Sequence, residues 1–206
     1  MSKTSEKTID KNLPNKLTLS RIALIPVFMV VLCLPLMTNG AVSAFWTRIV
    51  SSAVFLFCAL SDFFDGKLAR KYDLVSNFGK FMDPLADKFL IIGALLACVL
   101  VFDEFRAALV VSLAVIIFRE LAVSGMRMIA KGADGTVIAA AMPGKIKTAA
   151  QCVFVMLLLL EDVVFFFIPF VVTYRPFTWA CMAVMLFFTV YSGIDYFKTY
   201  KHYIFD

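Results

Sequence analysis

The stretch GKFMDPLADKFLIIGALLACVLVF, residues 79–102, decides what kind of molecule this is. Its first ten residues carry Lys80, Asp83, Asp87 and Lys88, and from 89 to 102 there is not one charged side chain. An apolar run of this length, extended by its polar start, crosses roughly 30 Å of hydrocarbon as a helix and is too long for a buried strand. The two halves together predict a helix whose body sits in lipid and whose first turns reach a membrane face.

Similar runs flank it on both sides. Spans are expected at 18–38, 46–69, 80–102, 105–130, 144–165 and 176–199, covering most of a 206-residue chain that is 62% hydrophobic with 22 Phe and has a mean hydropathy of +0.89. A soluble domain uses about 45–50% apolar residues. The expected fold class is therefore all-α and integral to a membrane, with six transmembrane helices in one domain, 13–206, after a polar and disordered tail, 1–12. Glu161 and Asp162 interrupt the fifth span, so the Phe-rich stretch 163–172 reads either as its end or as an interfacial turn.

Charge distribution orients the spans. Lys3, Lys7, Lys11, Lys16 and Arg21 precede or open the first; Lys67, Arg70, Lys71 and Lys80 join the second to the third; Arg127, Lys131, Lys145 and Lys147 join the fourth to the fifth; Lys198 and Lys201 end the last. These ends, with both termini, are expected on the cytoplasmic side. The other connections hold only Arg48, Arg106 and Arg175, beside Asp103, Glu104, Glu161 and Asp162. Residues 1–37 have the layout of a signal peptide, with 41–44 as a weak cleavage site. The apolar run is long for a signal, however, and Asn15, Thr18 and Arg21 lead directly into it, so it is read as a retained first span.

Cys33, Cys58, Cys98, Cys152 and Cys181 stand singly in apolar runs without paired spacing, which argues against zinc and against a disulfide framework. The net charge of +5 suits an anionic membrane surface or anionic substrates. Basic and aromatic residues are not interleaved as a nucleic-acid platform requires, so no nucleic acid is expected as partner.

The chemistry-bearing residues lie between the second and third spans. On helices, Asp62 and Asp65 are one turn apart, and so are Asp83 and Asp87, so each pair occupies one face. Any one of them could be a solvated loop acid paired with Lys67, Arg70, Lys71, Lys80 or Lys88. As a set they repel one another at the edge of a bilayer, and Asp62 and Asp87 sit toward the apolar sides of their segments, where an idle charge is costly. Divalent metal relieves this, and all-oxygen ligation favours Mg²⁺ or Mn²⁺, in a number suited to two metals gripping a diphosphate. Gly66 and Gly79 allow either close helix packing or close approach of a phosphate.

These residues match a pattern. The spacing D-x-x-D-G-x-x-A-R-x8-G-x-x-x-D-x-x-x-D resembles the signature of the CDP-alcohol phosphotransferase family at all eight fixed positions: Asp62, Asp65, Gly66, Ala69, Arg70, Gly79, Asp83 and Asp87. The resemblance implies a six-helix membrane fold and transfer of a phosphatidyl-type group from a CDP-linked donor to an alcohol. It implies Asp62, Asp65, Asp83 and Asp87 as metal ligands, Asp87 also as general base, and Gly66, Ala69, Arg70 and Gly79 at the cytidine diphosphate of the donor. The lone histidine, His202, lies in the tail, which leaves base chemistry to a carboxylate. A homodimer in the cell membrane with its active site facing the cytoplasm is implied too.

The acceptor is read from other residues. Arg119 and Arg127 lie eight residues apart on the fourth span, about 80° apart around the helix, and Lys145 and Lys147 open the fifth. Singly, Arg127, Lys145 and Lys147 serve equally as positive-inside anchors. Together they form a candidate phosphate pocket, whereas a neutral polyol would not use several cations. The stretches 15–22, 119–127 and 144–149 are similar to bacterial family members whose donor is CDP-diacylglycerol and whose acceptor is glycerol 3-phosphate, with Asn15, Thr18 and Arg21 in support. Phosphatidylglycerol, serine or an inositol compound as acceptor, as in cardiolipin, phosphatidylserine and phosphatidylinositol synthases, is the alternative within this chemistry. A cation transporter is the alternative outside it, and predicts carboxylates near the bilayer midplane.

Overall fold

A computed structural model describes residues 13–71, 77–134 and 142–201. The polar tail expected at 1–12 lies outside the described residues. Among them there are helices and turns and no strand: α1 (Leu13–Met37), α2 (Ala44–Lys71), α3 (Asn77–Val101), a single 3-10 turn (Asp103–Phe105), α4 (Arg106–Asp134), α5 (Met142–Val164), the short α6 (Pro169–Tyr174) and α7 (Pro176–Tyr200).

Five segments are long and apolar enough to cross a membrane: Thr18–Met37, Ala44–Ser61, Pro84–Val101, Asp103–Ala130 and Pro176–Tyr200. The remaining expected span coincides with α5, which is not among these five and carries Lys145, Lys147, Glu161 and Asp162 at its two ends. α5 is nonetheless part of the bundle. The six long helices pack in a closed ring, α1 on α2, α2 on α5, α5 on α7, α7 on α4, α4 on α3 and α3 back on α1.

The ring encloses one core. Ile25, Phe28 and Leu32 recur at helical spacing on α1 and meet Phe55, Leu95, Cys98, Leu109, Ile116, Phe154, Leu158, Met182 and Met185 from the other helices. Phe28 and Phe55 set their ring centroids 5.9 Å apart. Leucine, valine and phenylalanine are abundant on the outside as well, with Phe57, Val111, Phe118 and Phe187 exposed. An apolar exterior of this extent belongs in lipid. In that solvent, apolar burial between helices gains little desolvation, so shape and polar ties between helices determine how they pack. Gly93 provides one close approach: a Cβ there would stand 2.9 Å from Cγ2 of Ile25. The five cysteines are free, Cys58 and Cys98 fully buried, as small core residues should be.

α1 stops where Asn39 and Gly40 take positive φ angles of 49° and 84° and the Gly40 N–H donates to the Pro35 carbonyl at 2.8 Å, a left-handed helix stop that suits these two residue types. α5 ends at Val164, and the Phe-rich stretch is a turn followed by α6 rather than a continuation of the helix. Phe166, Phe167, Phe170 and Tyr174 are left exposed there, as aromatic side chains at a membrane boundary often are.

This end of the ring is held by charge. Arg48 of α2 pairs with Asp162 of α5, and Arg175 donates to Glu104 at 3.2 Å and lies 3.5 Å from the other oxygen of Asp162. The Arg175 guanidinium also stacks over Phe102 and Phe105, at 5.0 and 5.3 Å from their centroids. Buried Glu161 accepts the N–H groups of Phe177 and Thr178, at 3.0 and 2.7 Å, and the Thr178 hydroxyl. It thereby caps the otherwise unsatisfied first turn of α7 with a negative charge, the sign a helix N-terminus favours.

Candidate active site

The other end of the ring carries the residues singled out in the sequence. Asp62, Asp65, Gly66, Ala69 and Arg70 fall on the last turns of α2, and Gly79, Asp83 and Asp87 on the first turns of α3. Both segments are helical, so the one-turn spacing within each aspartate pair holds in the fold. The side chains of Asp62, Asp65, Arg70, Asp83 and Asn15 lie outside the described residues. Pro84 sits inside α3 and cannot donate to the Lys80 carbonyl, which loosens the helix between Asp83 and the residues before it.

Asp87 is described, with its side chain 46% exposed. Its Oδ1 accepts a hydrogen bond from Arg21 Nη1 of α1 at 3.3 Å. Arg21 is 1% exposed and enters from inside the bundle, one turn beyond buried Thr18. Arg21, expected only in support, therefore stands directly behind the candidate base. By residue type the donors at positions 62, 65, 83 and 87 are carboxylates, and Asp87, the one whose side chain is described, is open to solvent. Carboxylate oxygen is the chemistry that suits a hard divalent ion and suits zinc poorly.

Next to it lies a cluster of cations. Arg119 of α4 donates to Glu120 Oε1 at 2.9 Å, and Lys147 of α5 donates to the same oxygen. Arg119 and Lys147 are 8% and 6% exposed, a depth at which two cations need a carboxylate between them. Arg127, two turns further along α4, donates from Nη2 to the Tyr196 hydroxyl of α7 at 2.6 Å. The Tyr196 ring lies under both guanidiniums, 5.7 Å from Arg119 Cζ and 5.1 Å from Arg127 Cζ. Two glycines make room: a Cβ on Gly193 would press on Arg119 Cγ at 3.3 Å, and one on Gly144 would touch Arg119 and Tyr196.

The fold thus brings together Arg119, Arg127 and Lys147. Lys145 is exposed on another face of α5 and has no tie to them. Lys88, the neighbour of Asp87, donates to Ser124 of α4 at 2.5 Å, one turn from Glu120. The aspartate end of α3 and the cationic cluster therefore share one end of the ring. Sequence spacing had not marked Tyr196; it had named Lys88 only as a possible partner for the aspartates, and Ser124 and Glu120 only as part of the stretch 119–127. Each acts through a partner on a different helix, which no local pattern reports.

Comparison with known proteins adds an independent line. The profile of the family described as CDP-alcohol phosphatidyltransferase matches residues 11–191. A CDP-diacylglycerol–glycerol-3-phosphate 3-phosphatidyltransferase of Bacillus subtilis is 45% identical over 191 residues, 91% of this chain and 94% of its own length. Proteins of the same name from Rickettsia felis and Salmonella typhimurium are 34% identical over 95% of this chain and 98% of their own, and 38% identical over 69% and 73%.

Proposed function

The chain belongs to the CDP-alcohol phosphatidyltransferase family, and from that premise we propose that it transfers the phosphatidyl group of CDP-diacylglycerol to glycerol 3-phosphate, giving phosphatidylglycerophosphate and CMP. The observation that carries the choice of acceptor is the cationic cluster of Arg119, Arg127 and Lys147 at the same end of the ring as Asp87. A phosphate-bearing alcohol uses three such cations, and serine or inositol does not. The similarity to relatives that bear this activity in their names, over nearly the whole chain, points the same way.

The donor lies with its acyl chains among the helices and its diphosphate at the aspartates. Gly66, Ala69, Arg70 and Gly79 line its cytidine diphosphate. Asp62, Asp65, Asp83 and Asp87 hold Mg²⁺ or Mn²⁺ at two positions, and bound metal supplies positive charge against the diphosphate oxygens. Arg119, Arg127 and Lys147 receive the acceptor's phosphate and direct its primary hydroxyl at the phosphorus that bears the diacylglycerol. Asp87 takes the hydroxyl proton as the new P–O bond forms and the bond to CMP breaks. Arg21 holds Asp87 in place for this, and Arg70 faces the charge gathered on the departing CMP.

α5 is the sixth crossing, both termini and the active site face the cytoplasm, and the enzyme works as a homodimer in the cell membrane. The Lys and Arg of the aspartate end support this orientation, since positive residues concentrate on the cytoplasmic side. The test is CMP release by purified protein with CDP-diacylglycerol and Mg²⁺, supplying glycerol 3-phosphate, phosphatidylglycerol, serine and inositol in turn. Release with glycerol 3-phosphate alone is expected, and release with serine or inositol alone would overturn the assignment.

A further inference from the structure

Six arginine side chains are described, and five of them have a carboxylate partner: Arg21 with Asp87, Arg48 with Asp162, Arg106 with Asp103, Arg119 with Glu120 and Arg175 with Glu104. Arg127 is the sixth. Among the described residues it has no carboxylate within reach, and its guanidinium is held instead by the Tyr196 hydroxyl at 2.6 Å and the Tyr196 ring at 5.1 Å. The same ring, 1% exposed, lies 5.7 Å from the guanidinium of Arg119. A neutral side chain thus fixes two cations without neutralising either.

We propose that Tyr196 is the positioning residue of the acceptor-phosphate seat: it aims Arg127 and Arg119 at an oxyanion without adding a negative charge of its own, so that Arg127 keeps its full charge for that anion. This rests on the acceptor reading given above. A carboxylate at position 196 would fix Arg127 as firmly but would occupy the charge the phosphate needs. The tyrosine oxygen accepts one N–H and leaves the remaining donors of Arg127 for the ligand. The ring face holds the cations by its quadrupole, which adds no formal charge. Glu120 offsets only one of the two buried cations it touches, Arg119 and Lys147. The formal sum over Arg119, Arg127, Lys147 and Glu120 is +2, which matches a phosphate monoester that carries about −1.5 to −2 near neutral pH.

The experiment is steady-state kinetics of Tyr196→Phe, which removes one oxygen and keeps the ring. The KM for glycerol 3-phosphate is expected to rise about tenfold, the scale of losing one hydrogen bond to a charged group. The KM for CDP-diacylglycerol should stay within about twofold and kcat within about threefold. In the absence of donor, glycerol 3-phosphate should raise the melting temperature of the wild type and fail to do so in the variant. In an Arg127→Ala background, Tyr196→Phe should add less than about twofold, because its effect passes through Arg127.

An unchanged KM for glycerol 3-phosphate, an equal rise in both KM values, or full additivity with Arg127→Ala would overturn the proposal. Wild-type turnover fixes which idea has failed. If wild type releases CMP with glycerol 3-phosphate and Tyr196→Phe behaves identically, the acceptor assignment stands and the role of Tyr196 falls. If wild type ignores glycerol 3-phosphate, both fall.

Discussion

Arg21 Nη1 lies 3.3 Å from Asp87 Oδ1, and the two residues come from helices that are 66 positions apart in sequence. One partner is 1% exposed and the other 46%, so a buried cation reaches out to hold a carboxylate at the open face of the site. If Asp87 is the base, Arg21 sets where its oxygens point. Arg21→Ala is expected to lower kcat about 10- to 100-fold, as loss of a charge-assisted hydrogen bond would, and Arg21→Lys to restore part of it. CMP release measured at saturating donor and acceptor checks this, and a variant with wild-type kcat would remove Arg21 from the mechanism.

Asp87→Asn keeps the shape of the side chain and abolishes its basicity. Turnover should fall below detection while CDP-diacylglycerol is still retained in an equilibrium binding assay. Near-normal CMP release would mean that another group takes the proton.

Metal dependence follows from the donor set. Chelation with EDTA should stop CMP release, and Mg²⁺ or Mn²⁺ should restore it, whereas zinc should not, because it prefers nitrogen and sulfur ligands. Activity that survives exhaustive chelation would contradict the carboxylate site.

At the opposite end, Glu161 accepts three hydrogen bonds from Phe177 and Thr178. Glu161→Ala strips the first turn of α7 of its cap and should cost about 2–4 kcal/mol, read as a lower melting temperature in detergent. Activity per folded molecule should be unchanged, since the cap is at the far end from Asp87. A variant as stable as wild type would show that water replaces the carboxylate.

Gly93→Ala places a methyl 2.9 Å from Cγ2 of Ile25, a β-branched side chain with little freedom to turn away. Overpacking of this kind costs about 1–3 kcal/mol. The double change Gly93→Ala with Ile25→Ala should recover part of that stability, and failure to do so would mean that α1 and α3 part instead.

The helical placement of the aspartate pairs was legible in the sequence because everything that sets it is local: helical spacing within each pair and a short connection between them. Helices could be read from the same kind of information: α1 to α5 and α7 fall where apolar runs predicted, and all of these but α5 hold a segment long and apolar enough to cross a membrane. The Phe-rich stretch after Asp162 was ambiguous by hydropathy, since a helix end and a surface turn have the same composition there. Tyr196 was not legible at all, because a tyrosine near the end of an apolar helix looks like an interface aromatic and its partner Arg127 is 69 residues away. Glu120 had one visible tie, to its neighbour Arg119. The second, to Lys147, spans 27 residues and emerges only when α4 and α5 meet.

Arg48 and Asp162 are separated by 114 residues. A chain made from its N-terminus enters the bilayer with Arg48 long before the acid that answers it exists, and Arg175, which shares Asp162, comes later still. The ring therefore cannot close at this end until α5 and α7 have arrived. A truncated or misinserted chain carries arginines without the acid that answers them in the complete fold. Pairing across the ring is in this sense a record of complete biosynthesis.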